Sequence, residues 1–197
     1  LNNQHPAARY LLDRHLDFRT LPASPYYVSD FIRNNRTFGP RVLFPVVIDN
    51  KYRGFQARAL RDDQVARYLS AVGFKKSHLL YNWDRAKLQS QIVVTEGIFD
   101  AMRVGINGVC TFGKVLSDVQ ILLLQQTKAS RIIILYDRDA LDANKKAASA
   151  LARHYHGGVY YGILPVKDPD AMGEQQLHEF LSAGLSSFNS TGLQRVF

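Results

Sequence analysis

The sequence has little of what would indicate a disulfide framework, a zinc site or a membrane span. Cysteine occurs once, at Cys110, which excludes an internal disulfide and a cysteine-based zinc site in this chain. No apolar run approaches the roughly 20 residues that a membrane-spanning helix needs. There is no initiator methionine and no signal-peptide pattern at the start, so we expect a piece of a longer cytoplasmic protein without membrane contact.

Two well-known catalytic signatures are also missing. The chain has no Gly-x-x-x-x-Gly-Lys-Ser/Thr phosphate loop, which argues against helicase or ATPase activity in this chain. It has no serine-centred nucleophile elbow, which argues against an α/β-hydrolase.

The excess of positive over negative charge lies entirely in the first half of the chain. The net charge is +8; residues 1–90 carry 15 Lys and Arg against 7 Asp and Glu, whereas residues 91–197 carry 10 of each sign. Such an asymmetry favours a polyanionic partner, of which nucleic acid is the usual one. A basic surface that serves only solubility is the alternative, and charge alone does not separate the two.

Residues 1–88 have the pattern of a small, basic α+β subdomain. A helix is expected over His5–His15 because Pro6 suits a first helical turn. A short helix is expected at Val28–Arg33, and Leu43–Ile48 followed by Tyr52–Leu60 has the pattern of a strand pair, in which Pro45 indicates an edge position or a bulge.

Residues 89–185 change character and alternate short buried strands with helices. Ile92–Thr95 and Arg131–Tyr136 are two of these strands, and Ser117 begins a helix with the spacing of a capping box. This alternation predicts a parallel sheet flanked by helices on both faces. The polar residues 186–197 predict a loose tail.

Carboxylates follow three of the predicted strands at the points where those strands end. The five residues are Glu96, Asp137, Asp139, Asp168 and Asp170. The carboxyl ends of parallel strands meet at one edge of a sheet, so these side chains are expected to lie together. Carboxylates crowded in this way repel each other unless a cation compensates, and oxygen ligands suit Mg²⁺ or Mn²⁺. The pattern therefore predicts a site for about two ions that can serve phosphoryl transfer; the alternative is that the aspartates are turn residues.

The motifs at two of these strand ends resemble those of the Toprim domain. Thr95-Glu96-Gly97-Ile98-Phe99-Asp100-Ala101 is similar to its Glu-Gly motif, and Tyr136-Asp137-Arg138-Asp139 is similar to its Asp-x-Asp motif. Toprim domains occur in bacterial-type primases, in topoisomerases, in some nucleases and in a recombination mediator.

The rest of the chain narrows the resemblance to bacterial and bacteriophage-type DNA primases. Gly54–Leu60 resembles the element that ends the strand pair before Toprim, with Ala57 where the family usually has glycine. Lys76–Tyr81 resembles the Lys-x-x-x-Leu-Tyr segment, His5–Arg14 the opening helix in a form similar to phage primases, and Asp168–Asp170 the third acidic motif. Asp142 stands where the family usually has glycine, and we assign it no role.

The resemblance implies a nucleotidyltransferase: a Toprim catalytic domain preceded by the smaller basic subdomain, which makes short RNA primers on single-stranded DNA from ribonucleoside triphosphates. Glu96, Asp137 and Asp139 would be catalytic and would hold the metal ions together with Asp168 and Asp170. The residues implied to contact nucleotide or template are Arg58, Lys75, Lys76, Gly97 and Lys114.

The family also implies partners: a replicative helicase, and a zinc-ribbon module on a missing N-terminal part or on another chain. Two alternatives to a primase stay open at this stage. One is a Toprim-type metal-dependent nuclease, since the same carboxylates can activate water. The other is a non-catalytic nucleic-acid-binding module, against which the retention of Glu96, Asp137 and Asp139 argues.

Overall fold

The computed structural model describes residues 3–183 and 193–196, and the chain divides into two compact units, Leu1–Lys75 and Lys76–Phe197. The sequence pattern places the boundary between the two parts after residue 88, whereas the two units of the structure meet after Lys75. Within the described ranges, no helix combines the length and the hydropathy that crossing a bilayer requires.

The first unit is built on an antiparallel sheet. Its elements are α1 (Pro6–Leu12), β1 (Tyr26–Val28), β2 (Ile32–Arg33), β3 (Arg36–Thr37), β4 (Arg41–Ile48), β5 (Lys51–Ala59) and β6 (Tyr68–Ser70). Four strands pair in the order β1-β4-β5-β6, and β2 and β3 form a separate hairpin. The expected helix α1 and the expected strand pair β4–β5 are present. Val42, Phe44 and Val46 alternate along β4 and are fully or almost fully buried, because successive side chains on a strand point to opposite faces of the sheet.

The helix expected at Val28–Arg33 is wrong, because these residues extend into β1 and β2 instead. The physical reason lies just beyond them, at Asn34 and Asn35. Both residues have left-handed backbone angles, with φ of 49° and 58°, and such a pair makes the tight turn that joins two antiparallel strands. Once the turn forms, Ile32 pairs with Thr37 and the segment is fixed as a hairpin.

Pro45 lies at a local edge of the sheet, as expected, because β1 pairs with β4 only at Arg41–Leu43, whereas Pro45 has a partner in β5, Phe55. The other expectation for this proline, a bulge, agrees with the register, which shifts between Val46 and Val47. The buried guanidinium of Arg41, at the start of β4, holds the connection between β5 and β6. It donates to the carbonyl oxygens of Ala66 at 2.8 Å and Val65 at 2.9 Å, so this loop has a fixed shape although it lies at the surface.

The second unit contains the parallel sheet that the sequence predicts. Its elements are α2 (Trp83–Ala86), β7 (Gln91–Thr95), α3 (Ile98–Val104), β8 (Gly108–Cys110), α4 (Asp118–Gln125), β9 (Arg131–Ile134), α5 (Leu141–Ala152), β10 (Gly158–Gly162), α6 (Glu174–Ala183) and β11 (Leu193–Val196). The strand order is β11-β10-β9-β7-β8. Strands β7, β8, β9 and β10 run parallel, and side chains of β7, β9 and α6 share a core that includes Val93, Ile133 and Leu177.

The expectation of a loose tail over 186–197 does not hold for residues 193–196. They form β11, which pairs antiparallel with β10 and matches Val159 with Val196 and Gly162 with Leu193. The remaining tail positions, 186–192 and 197, lie outside the described residues.

Residues 76–88 belong to the second unit because their main chain is held there by buried hydrogen bonds. The side-chain amide of Gln120 on α4 donates to the carbonyl oxygens of Lys76 at 3.0 Å and Leu79 at 2.8 Å. Tyr81 N–H donates to the carbonyl of Cys110 at 3.2 Å. The capping box expected at Ser117 is present, with Gln120 N–H donating to Ser117 Oγ at 3.2 Å and Ser117 N–H donating to Gln120 Oε1 at 3.0 Å.

We therefore expect Gln120→Leu to lower the free energy of unfolding by about 2 kcal/mol, the usual penalty when buried polar groups lose their partners. Gln125→Leu is the matched control, because Gln125 lies on the same helix and makes one exposed hydrogen bond, to the carbonyl of His154. Urea unfolding followed by far-UV circular dichroism measures both. Equal losses for the two variants would contradict the anchoring role of Gln120.

Candidate active site

Three of the predicted carboxylates lie together where two neighbouring parallel strands end. Glu96 follows β7, and Asp137 and Asp139 lie a few residues beyond the end of β9. One oxygen from each of the three lies within 4.8 Å of the others. Asp137 N–H also donates to Glu96 Oε1 at 3.2 Å, so a main-chain hydrogen bond joins the two strand ends directly.

Burial and mutual repulsion make two of these carboxyl groups, those of Glu96 and Asp137, hold their protons more tightly than usual. Burial, followed by the charge of Asp137, raises the pKa of Glu96 from its ordinary 4.5 to about 7, and Lys114 opposes the shift. Burial also raises the pKa of Asp137, with the charges of Asp168 and Asp139 adding to the effect. The site thus carries more negative charge than its own environment compensates, which is the electrostatic condition that favours binding of a cation.

A lysine supplies part of the missing positive charge. Lys114, in the loop between β8 and α4, places its Nζ 3.0 Å from Asp139 Oδ1. Both side chains are exposed, so this contact contributes little to folding. The contact matters for the site because it brings an exposed ammonium group to the rim of the acidic cluster.

The donor set fits a hard divalent cation. All three clustered side chains offer carboxylate oxygens, the ligands that Mg²⁺ and Mn²⁺ prefer. Asp137 Oδ1 is buried and has no hydrogen-bond partner among the described residues, and a buried oxygen left without a partner calls for an unseen ligand such as an ion.

A fourth carboxyl group near the cluster, Asp100, is buried and was not predicted as a site residue. It lies on α3, and burial, then the charges of Asp137 and Asp168, raises its pKa from the ordinary 3.8 to about 8. Its Oδ2 accepts the Gly97 N–H at 3.2 Å, and a Cβ on Gly97 would lie 2.8 Å from this oxygen. The absence of a side chain at Gly97 therefore leaves room for the carboxylate of Asp100. The available signal is an acidic residue between the apolar residues Phe99 and Ala101 in the first turn of this helix.

Asp168 and Asp170, which the sequence pattern places with the other carboxylates, do not belong to the cluster of Glu96, Asp137 and Asp139. Asp168 is near enough for its charge to raise the pKa of Asp137, and its Oδ1 accepts the Ala171 N–H at 2.8 Å. Asp170 instead forms an ion pair with Arg103, at 3.2 Å. The two members of this pair thus have different surroundings.

The first unit holds a separate basic site around Arg58. This side chain is buried, its Nε donates to Tyr10 Oη at 2.9 Å, and its guanidinium lies 4.8 Å from the centre of the Tyr68 ring. It lines a cavity of about 380 Å³ together with Arg61, Gln64 and Arg67 among others. Sequence reasoning identified Arg58 but missed the other two arginines, which come from the loop between β5 and β6.

Lys75 and Lys76 are both exposed. Lys75 ends the first unit and Lys76 opens the second. Lys76 begins a short 3₁₀ turn, Lys76–His78. Asp142 is exposed in the first turn of α5, where a negative charge is favourable towards the helix dipole.

Solved structures of bacterial primase cores share this fold. The chain matches a structure of the DnaG catalytic core with a TM-score of 0.76 and 22% identity, over 99% of this chain and 75% of that one. A DNA primase domain from Pseudomonas aeruginosa gives a TM-score of 0.75 and 20% identity, over 98% and 74%. A DnaG primase catalytic domain bound to single-stranded DNA gives 0.68 and 23%, over 89% and 72%.

No protein-family model and no curated protein matches the sequence. At 20–23% identity, the structural likeness establishes the fold and not the activity. The chain has the fold of the DnaG primase catalytic core, so the predicted fold class, a Toprim domain preceded by a smaller subdomain, is confirmed.

Proposed function

We propose that this chain is the catalytic core of a DNA primase, which joins ribonucleotides into short RNA primers on a single-stranded DNA template. The observation that carries the proposal is the cluster of Glu96, Asp137 and Asp139 in a chain with the fold of DnaG primase cores. In the reaction, the 3′-oxygen of one nucleotide forms a bond to the α-phosphorus of the next, and the bond to pyrophosphate breaks.

Glu96, Asp137 and Asp139 are the residues that would hold divalent ions, with Asp168 as a further ligand from the neighbouring loop. Bound Mg²⁺ or Mn²⁺ supplies the positive charge that the triphosphate and the developing negative charge on its oxygens require. The hydrogen bond from Asp137 N–H to Glu96 Oε1, at 3.2 Å, sets the orientation of the Glu96 carboxylate before any substrate arrives. This preorganisation lowers the cost of reaching the reactive geometry.

Lys114 is placed to contact a triphosphate that approaches the cluster. Its ammonium group is exposed at the rim and touches Asp139, at 3.0 Å. A flexible side chain with three donors can turn from a carboxylate to a phosphate without disturbing the fold. Gly97 contributes space, since a side chain at this position would collide with Asp100. Lys75 and Lys76 add exposed positive charge that would favour the phosphates of the template or the nucleotide.

The basic cavity of the first unit is the proposed contact for the phosphate backbone of the template. Arg58, Arg61 and Arg67 line it, and a guanidinium can donate two parallel hydrogen bonds to a phosphate. Arg58 is held by Tyr10 and Tyr68, so little side-chain entropy remains to be lost when it binds.

Arg61→Ala is therefore expected to weaken binding of single-stranded DNA and to reduce its salt dependence. Each lost phosphate contact should lower the slope of log K against log salt by about 0.7. Fluorescence anisotropy of a labelled oligonucleotide at several salt concentrations measures the slope. Arg19→Ala is the matched control: Arg19 is an exposed arginine of the same unit that is paired with Asp17 at 2.8 Å, much as Arg61 is paired with Asp63 at 3.4 Å, but it does not line the cavity. An unchanged slope for Arg61→Ala would contradict the proposed contact between this cavity and the template.

The direct test is synthesis itself. The chain is incubated with single-stranded DNA, labelled ribonucleotides and Mg²⁺ or Mn²⁺, beside a reaction with EDTA, and products are separated on a sequencing gel. Short RNA whose sequence follows the template, made only with metal, is the expected result. Shortened template without RNA would instead identify the nuclease that shares this chemistry, and neither product, with DNA still bound, would favour a binding module.

The wider setting follows from the resemblance to bacterial and phage primases. It includes a replicative helicase as partner, a zinc-ribbon module outside this chain that reads the template start site, and a cytoplasmic location, which is the host cytoplasm if a phage encodes the protein.

A further inference from the structure

The side chain of Asp170 forms an ion pair that is largely buried, whereas the ion pair of the cluster residue Asp139 with Lys114 is exposed. Asp170 Oδ1 lies 3.2 Å from Nη2 of Arg103, with exposed side-chain fractions of 17% for Asp170 and 9% for Arg103. An ion pair that is largely removed from water is screened far less than one on the surface. The negative charge of Asp170 is therefore already compensated by a side chain of the protein, Arg103, and does not need a metal ion.

The main chain of Asp170 is held by the same helix. Its N–H donates to Asp100 Oδ1 at 3.2 Å, while Asp100 Oδ2 accepts the Gly97 N–H. Asp100 and Arg103 are three residues apart on α3 (Ile98–Val104), so they lie on the same side of the helix. Helix α3 thus holds Asp170 by two contacts: Asp100 accepts its backbone N–H, and Arg103 pairs with its carboxylate.

We propose that Arg103 and Asp170 form a positioning clamp, in which Asp170 anchors the turn Pro169–Ala171 and is not a metal ligand. The sequence pattern groups Asp170 with the metal-binding carboxylates. Two observations separate it from them: it lies outside the cluster of Glu96, Asp137 and Asp139, and its ion pair with Arg103 is largely buried, whereas that of Asp139 with Lys114 is exposed. This inference rests on the proposed function, because it divides the acidic residues of that site into ligands and anchors.

The clamp determines where Asp168 lies. Asp168 Oδ1 accepts the Ala171 N–H at 2.8 Å, so Asp168 is tied to the turn that the clamp holds. The charge of Asp168 raises the pKa of both Asp137 and Asp100, so Asp168 lies near the cluster. Arg103 acts on the site through Asp170 and Asp168, and it is therefore a positioning residue.

Titration with Mn²⁺, followed by calorimetry at pH 7.5, separates a ligand from an anchor. Asp170→Asn keeps an acceptor for Arg103 and should bind Mn²⁺ within about threefold of the wild-type affinity, whereas Asp168→Asn should lose about tenfold or more, the loss expected for a group that supports a metal site. Equal losses in the two variants would make Asp170 a ligand and overturn the clamp. No loss in either would show that the turn does not serve the site, and would overturn it as well.

Arg103 is tested by conservative rescue in the same titration. Arg103→Ala should weaken Mn²⁺ binding because Asp168 is no longer held, and Arg103→Lys should recover most of it because it restores the positive charge. If Arg103→Ala bound Mn²⁺ as tightly as the wild type, the positioning role would be wrong.

Melting temperatures in EDTA test the pair without any metal. Arg103→Ala should lower the melting temperature by several degrees, since it removes the cation that compensates a largely buried carboxylate. Adding Asp170→Asn to that variant should recover part of the loss, because residues that act as a pair are not additive. Additive losses would overturn the clamp. If the wild type binds no Mn²⁺ but the double variant shows this recovery of melting temperature, the proposed metal site is contradicted, whereas the ion pair is established.

Discussion

Replacement of Glu96 by glutamine is expected to reduce primer synthesis by about 100- to 1000-fold, the range observed when one preorganised group that stabilises charge is removed. The same change should raise the melting temperature of the metal-free protein. Glutamine keeps the shape of the side chain and an oxygen that accepts the Asp137 N–H, but it removes a half-buried negative charge that the charge of Asp137 opposes. Loss of activity together with a gain in stability distinguishes a charge that serves function from one that serves folding.

The matched control for this substitution is Glu179→Gln on α6. Glu179 is exposed, and it accepts a hydrogen bond from the Gln175 side chain at 2.9 Å. We expect it to leave both primer synthesis and the melting temperature unchanged. Initial rates of ribonucleotide incorporation and differential scanning calorimetry in EDTA give the two readouts. If Glu96→Gln retained full synthesis, the proposed role of the cluster would be wrong.

The metal-free protein is expected to lose stability as the pH rises from about 5 to about 8.5. In the folded chain the pKa of Glu96 is about 7 and that of Asp100 about 8, against ordinary values of 4.5 and 3.8. Each group therefore binds its proton more tightly when folded. The resulting stabilisation is complete below pH 4 and is lost as the pH passes through 7 and 8.

The effect should amount to several degrees, since a domain of this size loses about 2–4 °C for each kcal/mol. Other groups also titrate in this range, so the quantity to measure is the difference between the wild type and the double variant Glu96→Gln, Asp100→Asn across the pH series in EDTA. The double variant should show the flatter curve. Addition of Mn²⁺ should restore the wild type at pH 8.5 and have little effect at pH 5, because protons and metal compete for the same oxygens. Parallel curves for the two proteins would contradict the raised pKa values.

The part of the site that lies on regular structure could be predicted from the sequence. Glu96 and Asp137 follow strands whose apolar, β-branched composition marks them clearly, and parallel pairing brings the carboxyl ends of β7 and β9 to the same edge. Local chemistry was equally informative where a short-range rule applies, as at the capping box of Ser117.

The rest depends on contacts between residues far apart in the sequence. Asp170 belongs by pattern with the other carboxylates, and only the fold reveals that Arg103, 67 residues earlier, neutralises it. The basic cavity forms because the buried Arg41 shapes a loop between two strands, which no periodicity records. The hairpin at Ile32–Thr37 depends on two left-handed asparagines whose signal is weaker than that of Asn-Gly.

Strand β11 was missed because four residues, Leu193–Val196, are too short to establish a pattern, yet they determine how the protein behaves at high concentration. They cover the outer side of β10 along Val159–Gly162. A polypeptide shortened after Ala183 would leave that row of backbone N–H and C=O groups without its present partner. Unpaired sheet edges associate with one another between molecules. Loss of these residues would therefore appear first as aggregation, before any change at the carboxylate cluster.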